Sequence, residues 1–431
     1  MCWRVRIPIT FFDATALVHV RYLAKEMTNA KGGAVHVVND PDMPFDTYQC
    51  GIYSCHGIEP KFTRNGFQVY GKRAPLLCPS SCCWCCWVGL RLMMCGLTLD
   101  ARLPPESLNR GLLKVNSDSS PCPLGKTATA LSKQVKSKIN QDRGGIVYPF
   151  GGRRDMAFFC VMDGHGRGGE RISEYCMTHL PKLIVAHGEL ATNPGKALQE
   201  AFVEVDHDLR RIMAREATYA GTTCVCVLAV GDRLIIANSG DSRAVVGAVG
   251  SDGGCVATDL SFDHKPNRPE EEKRVRAMGG FVSQESDEEG PSRVWLGKAM
   301  NSCGLAMARS LGDHALAAVG VIAEPEITMH ALRPEDRYLI LGSDGIWEFI
   351  ESQQAADLVH GVIGAKGTAD KACRTLIEKS SVAWKLNEGD YRDDITGIVV
   401  TLPCFESQFV RAMTPKTDQK IKATAAAGTK F

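Results

Sequence analysis

Five apolar runs in the middle of this chain each meet an aspartate at one end, and that pattern restricts the fold more than any other feature. Residues 157–162, AFFCVM, run into Asp163; 232–238, DRLIIAN, run into Ser239-Gly240-Asp241; 338–341, YLIL, run into Gly342-Ser343-Asp344. Two runs reverse the order. Asp393 and Asp394 stand immediately before 395–402, ITGIVVTL, and Asn140-Gln141-Asp142 precede 145–150, GIVYPF. In an antiparallel sheet the C-terminal end of one strand lies beside the N-terminal start of its neighbour. Three strands with the acid after them and two with it before can therefore carry their carboxylates to one sheet edge.

Carboxylates gathered so closely raise one another's pKa and oppose folding unless cations neutralise them. Oxygen donors select hard ions, so Mg²⁺ or Mn²⁺ is the expected occupant, and the absence of a His/Cys ligand spacing on these strands argues against zinc. Any one of these aspartates alone is more readily an ordinary turn former. Four or more on strands in a consistent sense are not explained that way.

At 431 residues the chain can hold two or three average domains, or one large domain with extensions. A hydrophobic fraction of 44% with 23% charged residues is that of an ordinary soluble globular protein. The net charge of +1 gives no support to bulk attraction for nucleic acid or an acidic membrane. Of the 18 cysteines, ten fall at or before Cys122, and several of the rest (Cys160, Cys224, Cys226) lie in apolar runs, where a free thiol behaves as a small hydrophobe. The opening MCWRVRIPITFFDA lacks the uninterrupted apolar core of a secretory signal. A reduced, intracellular protein, cytoplasmic or nuclear, is expected.

Three regions follow from composition. Residues 1–125 form a Cys-rich extension without sustained periodicity, expected to be poorly ordered. Its stretch 76–99, LLCPSSCCWCCWVGLRLMMCGLTL, is long enough to span a bilayer but is interrupted by Pro79, Ser80, Ser81 and Arg91. Cys82, Cys83, Cys85 and Cys86 could be acylated, giving membrane association, or could bind a metal through soft thiolates. Residues 126–404 form the main domain, with helices expected over 169–187, 193–217 and 351–363 and another from Lys371. The tail, 405–431, is expected to be mobile.

The main domain resembles the metal-dependent protein serine/threonine phosphatases, the type 2C family. The motifs run in that family's order: NQD (140–142), VMDGHG (161–166), AGTTC (220–224), ANSGDSRAVV (237–246), DHKP (263–266), GLAMARSLGD (304–313), LGSDGIWEF (341–349) and DDITGIVV (393–400). The resemblance covers residues 126–402. It implies an α+β fold, an α-β-β-α sandwich of two antiparallel sheets flanked by helices, with a site for two Mg²⁺ or Mn²⁺ ions at one end. Asp163 matches the acid shared by both ions, and the Gly164 carbonyl the ligand beside it. Asp344 and Asp393 match two acids of the first ion, while Asp241 with Asp344 matches a third, weaker position. His165 matches the imidazole that would act as general acid.

The implied activity is hydrolysis of phosphoserine and phosphothreonine in protein substrates by a metal-bridged hydroxide, carried out by a monomer. The alternative is a catalytically silent member acting as a regulatory binding module, but such a member would be expected to have lost Asp163, Asp344 or Asp393. Three departures stand out. Gln141, beside Asp142, replaces a frequent Glu, and both are expected to act behind the metal ligands or through water. Glu348 stands where many members have Asp. Ser137 occupies the place of an arginine that often grips the substrate phosphate, which Lys136 or Lys138 could replace as a point charge. Residues 265–295 read as an exposed charged flap that helps choose substrates, or simply as a solvated helix and loop.

Overall fold

The computed structural model describes residues 21–22, 50–60, 135–285, 290–301 and 303–404. Two antiparallel sheets carry the architecture. The first has the strand order Arg21–Tyr22, Arg143–Val147, Met156–Met162, Cys224–Val230, Arg233–Ser239 and Glu326–Ala331. The second runs Cys255–Asp259, Arg243–Val249, Asp336–Gly342, Ile395–Thr401 and Cys50–Cys55.

Alternation along the strands builds three layers of core. On Met156–Met162 every residue is buried. Its odd positions Ala157, Phe159 and Val161 pack between the sheets with Val225, Val227, Ile236, Leu339, Leu341, Ile398 and Val400. The even positions Phe158, Cys160 and Met162 point the other way, against the helices Gly169–Ala186 and Pro194–Ile212. The second sheet likewise turns Val245, Ile340 and Val399 towards Ser352–Gly364 and Ala369–Glu388. A strand covered on both faces reads as a continuous apolar run, because each face of the pleat needs its own apolar set. The expected sandwich flanked by helices is the observed fold.

The helices expected at 169, 193 and 351 start within one residue of those positions, and the one expected from Lys371 starts two residues earlier, at Ala369. The Asn193 side chain accepts from the Lys196 N–H at 3.2 Å, with Pro194 in the first turn. This helix ends at Ile212, short of the expected 217. Glu351 and Gln354 form a reciprocal capping box on Ser352–Gly364, and Thr368 caps the last helix.

One boundary differs from the sequence reading. Cys50–Cys55, placed within the 1–125 extension, is an edge strand of the second sheet and pairs with Ile395–Thr401. Ile52 enters the core between the sheets and Tyr53 the core under the helices. Thr396 Oγ1 bonds Ser54 Oγ at 2.7 Å across 342 positions of sequence. No local pattern reveals a partner so distant. The chain leaves and re-enters the domain at adjacent points, since the Lys138 N–H donates to the Gly57 carbonyl at 2.9 Å. The 76–99 stretch with its cysteine cluster and the 405–431 tail lie outside the described residues. No helix among the described residues is long and apolar enough to cross a membrane.

The charged flap has a core of its own. Val275, on the helix Pro269–Ala277, packs with Val282, Val294, Leu305, Leu316 and Val319. Glu271 is fully buried between Arg274 and Arg309 at 2.6 and 2.7 Å.

Candidate active site

The acids do meet at one edge, and each is held by backbone geometry that its neighbours dictate. Asp163 follows the central strand of the first sheet, and its N–H donates to Thr223 Oγ1 at 2.9 Å while its carbonyl accepts from the Thr223 N–H, also at 2.9 Å. Gly164 has no room for a side chain: a Cβ there would lie 2.5 Å from the Gln141 carbonyl and 2.6 Å from that of Gly169. Asp344 opens the short helix Asp344–Trp347 at the end of Asp336–Gly342. Ahead of it, Ser343 donates its hydroxyl to Asp142 Oδ2 at 2.8 Å. Asp394 accepts from the Gly57 N–H and, at 2.8 Å, from the Gln141 N–H, so the chain just after Cys50–Cys55 supports the edge directly.

Their mutual repulsion is strong. Burial first, then Asp142, Asp344 and Asp393, hold the Asp163 carboxyl well above its ordinary range. Asp344 is pushed up to about 7 by burial and then by Asp241 and Asp393, with Lys265 opposing. Asp142 is raised by burial and by Asp394. Two lysines answer part of this charge: Lys138 Nζ lies 2.6 Å from Asp393 Oδ1, and Lys265 Nζ 2.6 Å from Asp241 Oδ2. The phenol of Tyr391 donates to Asp393 Oδ2 at 3.1 Å.

Among the described residues no three His, Cys, Asp or Glu side chains close around a common point as an ion's ligands would. The donor chemistry nevertheless fits divalent cations. Asp142 Oδ1, Asp241 Oδ1 and Asp344 Oδ1 are buried with no hydrogen-bond partner. A buried, unpaired carboxylate oxygen is costly, and an all-oxygen set is what Mg²⁺ or Mn²⁺ prefers.

His165 stands beside the acids on the three-residue strand Gly164–Gly166. Its Nε2 is 2.6 Å from Asp313 Oδ2, and its Nδ1 is buried without a partner. Burial pulls the imidazole pKa down, but Asp313 outweighs it and the net shift is upward.

Two expected roles take a different form. Lys138 is paired with Asp393 and is not a free cation awaiting phosphate; the side chain of Lys136 lies outside the described residues. Gln141 does not aim its amide at the acids but donates to the Gly166 carbonyl at 2.8 Å and to Glu170 at 3.2 Å, tying down the His165 loop. Glu348 is exposed. Sequence reasoning passed over Lys265, Asp313 and Asp394 as individual site residues. Lys265 and Asp313 lie inside quoted motifs, DHKP and GLAMARSLGD, and Asp394 lies beside Asp393, but their partners are set only by the fold.

Comparison with known proteins agrees with this geometry. Residues 131–382 match the family model described as protein phosphatase 2C. The rice (Oryza sativa subsp. japonica) protein named "Probable protein phosphatase 2C 64" is 37% identical over 267 residues, covering 60% of this chain and 61% of the relative, so under two thirds of that protein's length is matched. The Arabidopsis thaliana protein named "Probable protein phosphatase 2C 34" is 32% identical over 303 residues, 66% of this chain and 82% of the relative. A crystal structure of serine-threonine phosphatase 2C from Toxoplasma gondii shares the fold, with a TM-score of 0.55 at 22% identity over 61% of this chain and 90% of that one. A family model spanning more than half of the sequence, laid on this sandwich and this acidic edge, places the chain in the protein phosphatase 2C family.

Proposed function

We propose that the protein is a Mg²⁺- or Mn²⁺-dependent phosphatase acting on phosphoserine and phosphothreonine in other proteins. The observation that carries this reading is the set of three buried carboxylate oxygens without partners at an edge where the acids raise one another's pKa. Asp163, the Gly164 carbonyl, Asp344 and Asp393 would hold two ions, and Asp241 with Asp344 a third, weaker one. Bound ions would acidify a water for attack on phosphorus and offset the charge of the phosphate oxygens, the task that dominates phosphoryl transfer.

The chain's own residues do the rest. Lys138 and Lys265 set their ammonium groups against Asp393 and Asp241 and so offset part of the charge gathered at the edge. The Gln141 amide fixes the Gly166 carbonyl and with it the loop that carries His165. His165 would give a proton to the departing serine or threonine oxygen, a contribution of roughly 10²–10⁴-fold in rate. Asp142, held by Ser343, turns its free oxygen to a buried position where an ordered water could be bound.

The test is hydrolysis of a phosphothreonine peptide by the full chain with Mn²⁺, with chelator, and in Asp163→Asn. Turnover that survives the chelator, or is absent with saturating Mn²⁺, counts against the reading. An intracellular location and acylation of Cys82, Cys83, Cys85 and Cys86 belong to the same proposal on composition alone. Fractionation of cells carrying the four Cys→Ser changes tests the second, and a wild-type chain found wholly in the soluble fraction removes it.

A further inference from the structure

We propose that Asp313 is a positioning residue of this site: its carboxylate takes the Nε2–H of His165 and leaves Nδ1 as the ring nitrogen that serves the leaving oxygen. The inference rests on the reading of His165 as proton donor and adds a residue to it.

The two groups meet by construction. Gly164–Gly166, Ala220–Thr222 and Leu311–Gly312 form a three-stranded sheet in which both His165 and Gly312 lie opposite Gly221. His165 and Asp313 thus approach from the two sides of Gly221. A Cβ at that position would collide with Asp313 Oδ2 and lie 2.5 Å from Ser310 Oγ, so a glycine is what lets imidazole and carboxylate touch. The contact is 2.6 Å, between side chains 22% and 5% exposed.

Asp313 is fixed from every direction. Its backbone sits in the left-handed region at φ 49°, which Asp and Asn tolerate better than most residues. Ser310 Oγ donates to the same Oδ2 at 2.6 Å, and the Asp313 N–H donates to the Ala220 carbonyl at 3.0 Å. On either side, Asp206 Oδ1 holds the Gly312 N–H at 2.8 Å and His314 Nε2 at 2.9 Å. Among the described residues Asp313 pairs with no lysine or arginine, and His165 is its one charged partner. A carboxylate bound to one imidazole nitrogen sets the tautomer and orientation of the ring, and so decides which nitrogen the substrate meets.

The test compares two substrates of different leaving-group quality, a phosphothreonine peptide and p-nitrophenyl phosphate, on the full chain with Mn²⁺. Asp313→Asn keeps the size of the side chain and suits the left-handed backbone. It should lower kcat on the peptide by about 10²-fold while changing the aryl phosphate by under about threefold, because only the poor leaving group needs the proton. His165→Ala should show the same selectivity, and the double variant should be no slower than His165→Ala alone. Equal losses on both substrates in Asp313→Asn would mark a merely structural role and overturn the proposal. Selectivity in His165→Ala with wild-type behaviour in Asp313→Asn would also overturn it, while leaving His165 in place. Absence of selectivity in His165→Ala removes the proton-donor reading and the proposal with it. If Asp313→Asn does not fold, Ser310→Ala carries the test by loosening the same carboxylate oxygen: a smaller loss with the same selectivity is expected, and a loss equal on both substrates overturns the proposal.

Discussion

Stripped of divalent ions, the protein should lose stability as pH rises from about 5 to about 8, and Asp344→Asn should recover the part of the loss that Asp344 contributes. The folded structure pushes the Asp344 carboxyl up to about 7, whereas in the unfolded chain it ionises near its ordinary 3.8. Below the lower value both states are protonated and the group costs nothing. Between the two values the unfolded chain releases its proton and the folded one keeps it, so stability falls with pH; above the folded value the fall is complete. A gap of about 3 units at 1.36 kcal/mol each amounts to about 4 kcal/mol, of which about 3 kcal/mol lies above pH 5. Asp344 keeps some exposure to solvent, which makes these figures upper limits. Urea midpoints measured in chelator across this range, for wild type and Asp344→Asn, give the comparison directly. Adding Mn²⁺ should stabilise the wild type and not the variant, since a ligand that binds only the folded state adds stability by mass action. A flat metal-free wild type, or an Asn variant less stable than wild type at the upper end, would refute the reasoning.

Asp163→Asn and Asp393→Asn should each abolish turnover at saturating Mn²⁺ with an unchanged far-UV circular dichroism spectrum; near-normal activity in either would show that its carboxylate is not needed. Replacing residues 62–134 by a short glycine-serine linker should leave Mn²⁺-dependent turnover within about threefold, because the chain ends already meet at Gly57 and Lys138 and closure entropy varies slowly with length. Removing residues 1–58 should instead yield insoluble protein: Ile52 and Tyr53 leave the core at about 1.5–3 kcal/mol each, and Asp394 loses the Gly57 N–H. Expression and gel filtration of the two deletions separate these outcomes. Glu271→Gln should lower the thermal midpoint by the equivalent of about 3–5 kcal/mol, since it leaves Arg274 and Arg309 without their buried carboxylate. Arg309 and Arg274 overcome burial to hold Glu271 at about 2, so the wild type keeps this stabilisation above the ordinary value of 4.5 and loses it as pH falls towards 2, a dependence the Gln variant should lack.

The sandwich was legible because its signals are local. Continuous apolar runs, the helix start at Asn193 and acids at strand ends are each written within a few residues, and antiparallel pairing turns those ends into one edge. The lone strand Cys50–Cys55 was not legible. Six residues in a stretch of unusual composition carry no sign that their partner is Ile395–Thr401 at the far end of the chain.

What the sequence by itself determined is which residue types stand where: the acids Asp163, Asp241, Asp344 and Asp393, the imidazole His165, and the glycines that allow backbones to approach. What only the tertiary structure decided is who answers whom. Lys138 was a candidate for phosphate until the fold set its ammonium on Asp393, and Gln141 a candidate for water until its amide met Gly166. Asp313 became the partner of His165 because two strands flank a glycine at position 221. Hydrogen bonds and ion pairs between side chains depend on distances of a few ångströms across elements far apart in sequence, and a one-dimensional pattern does not contain those distances.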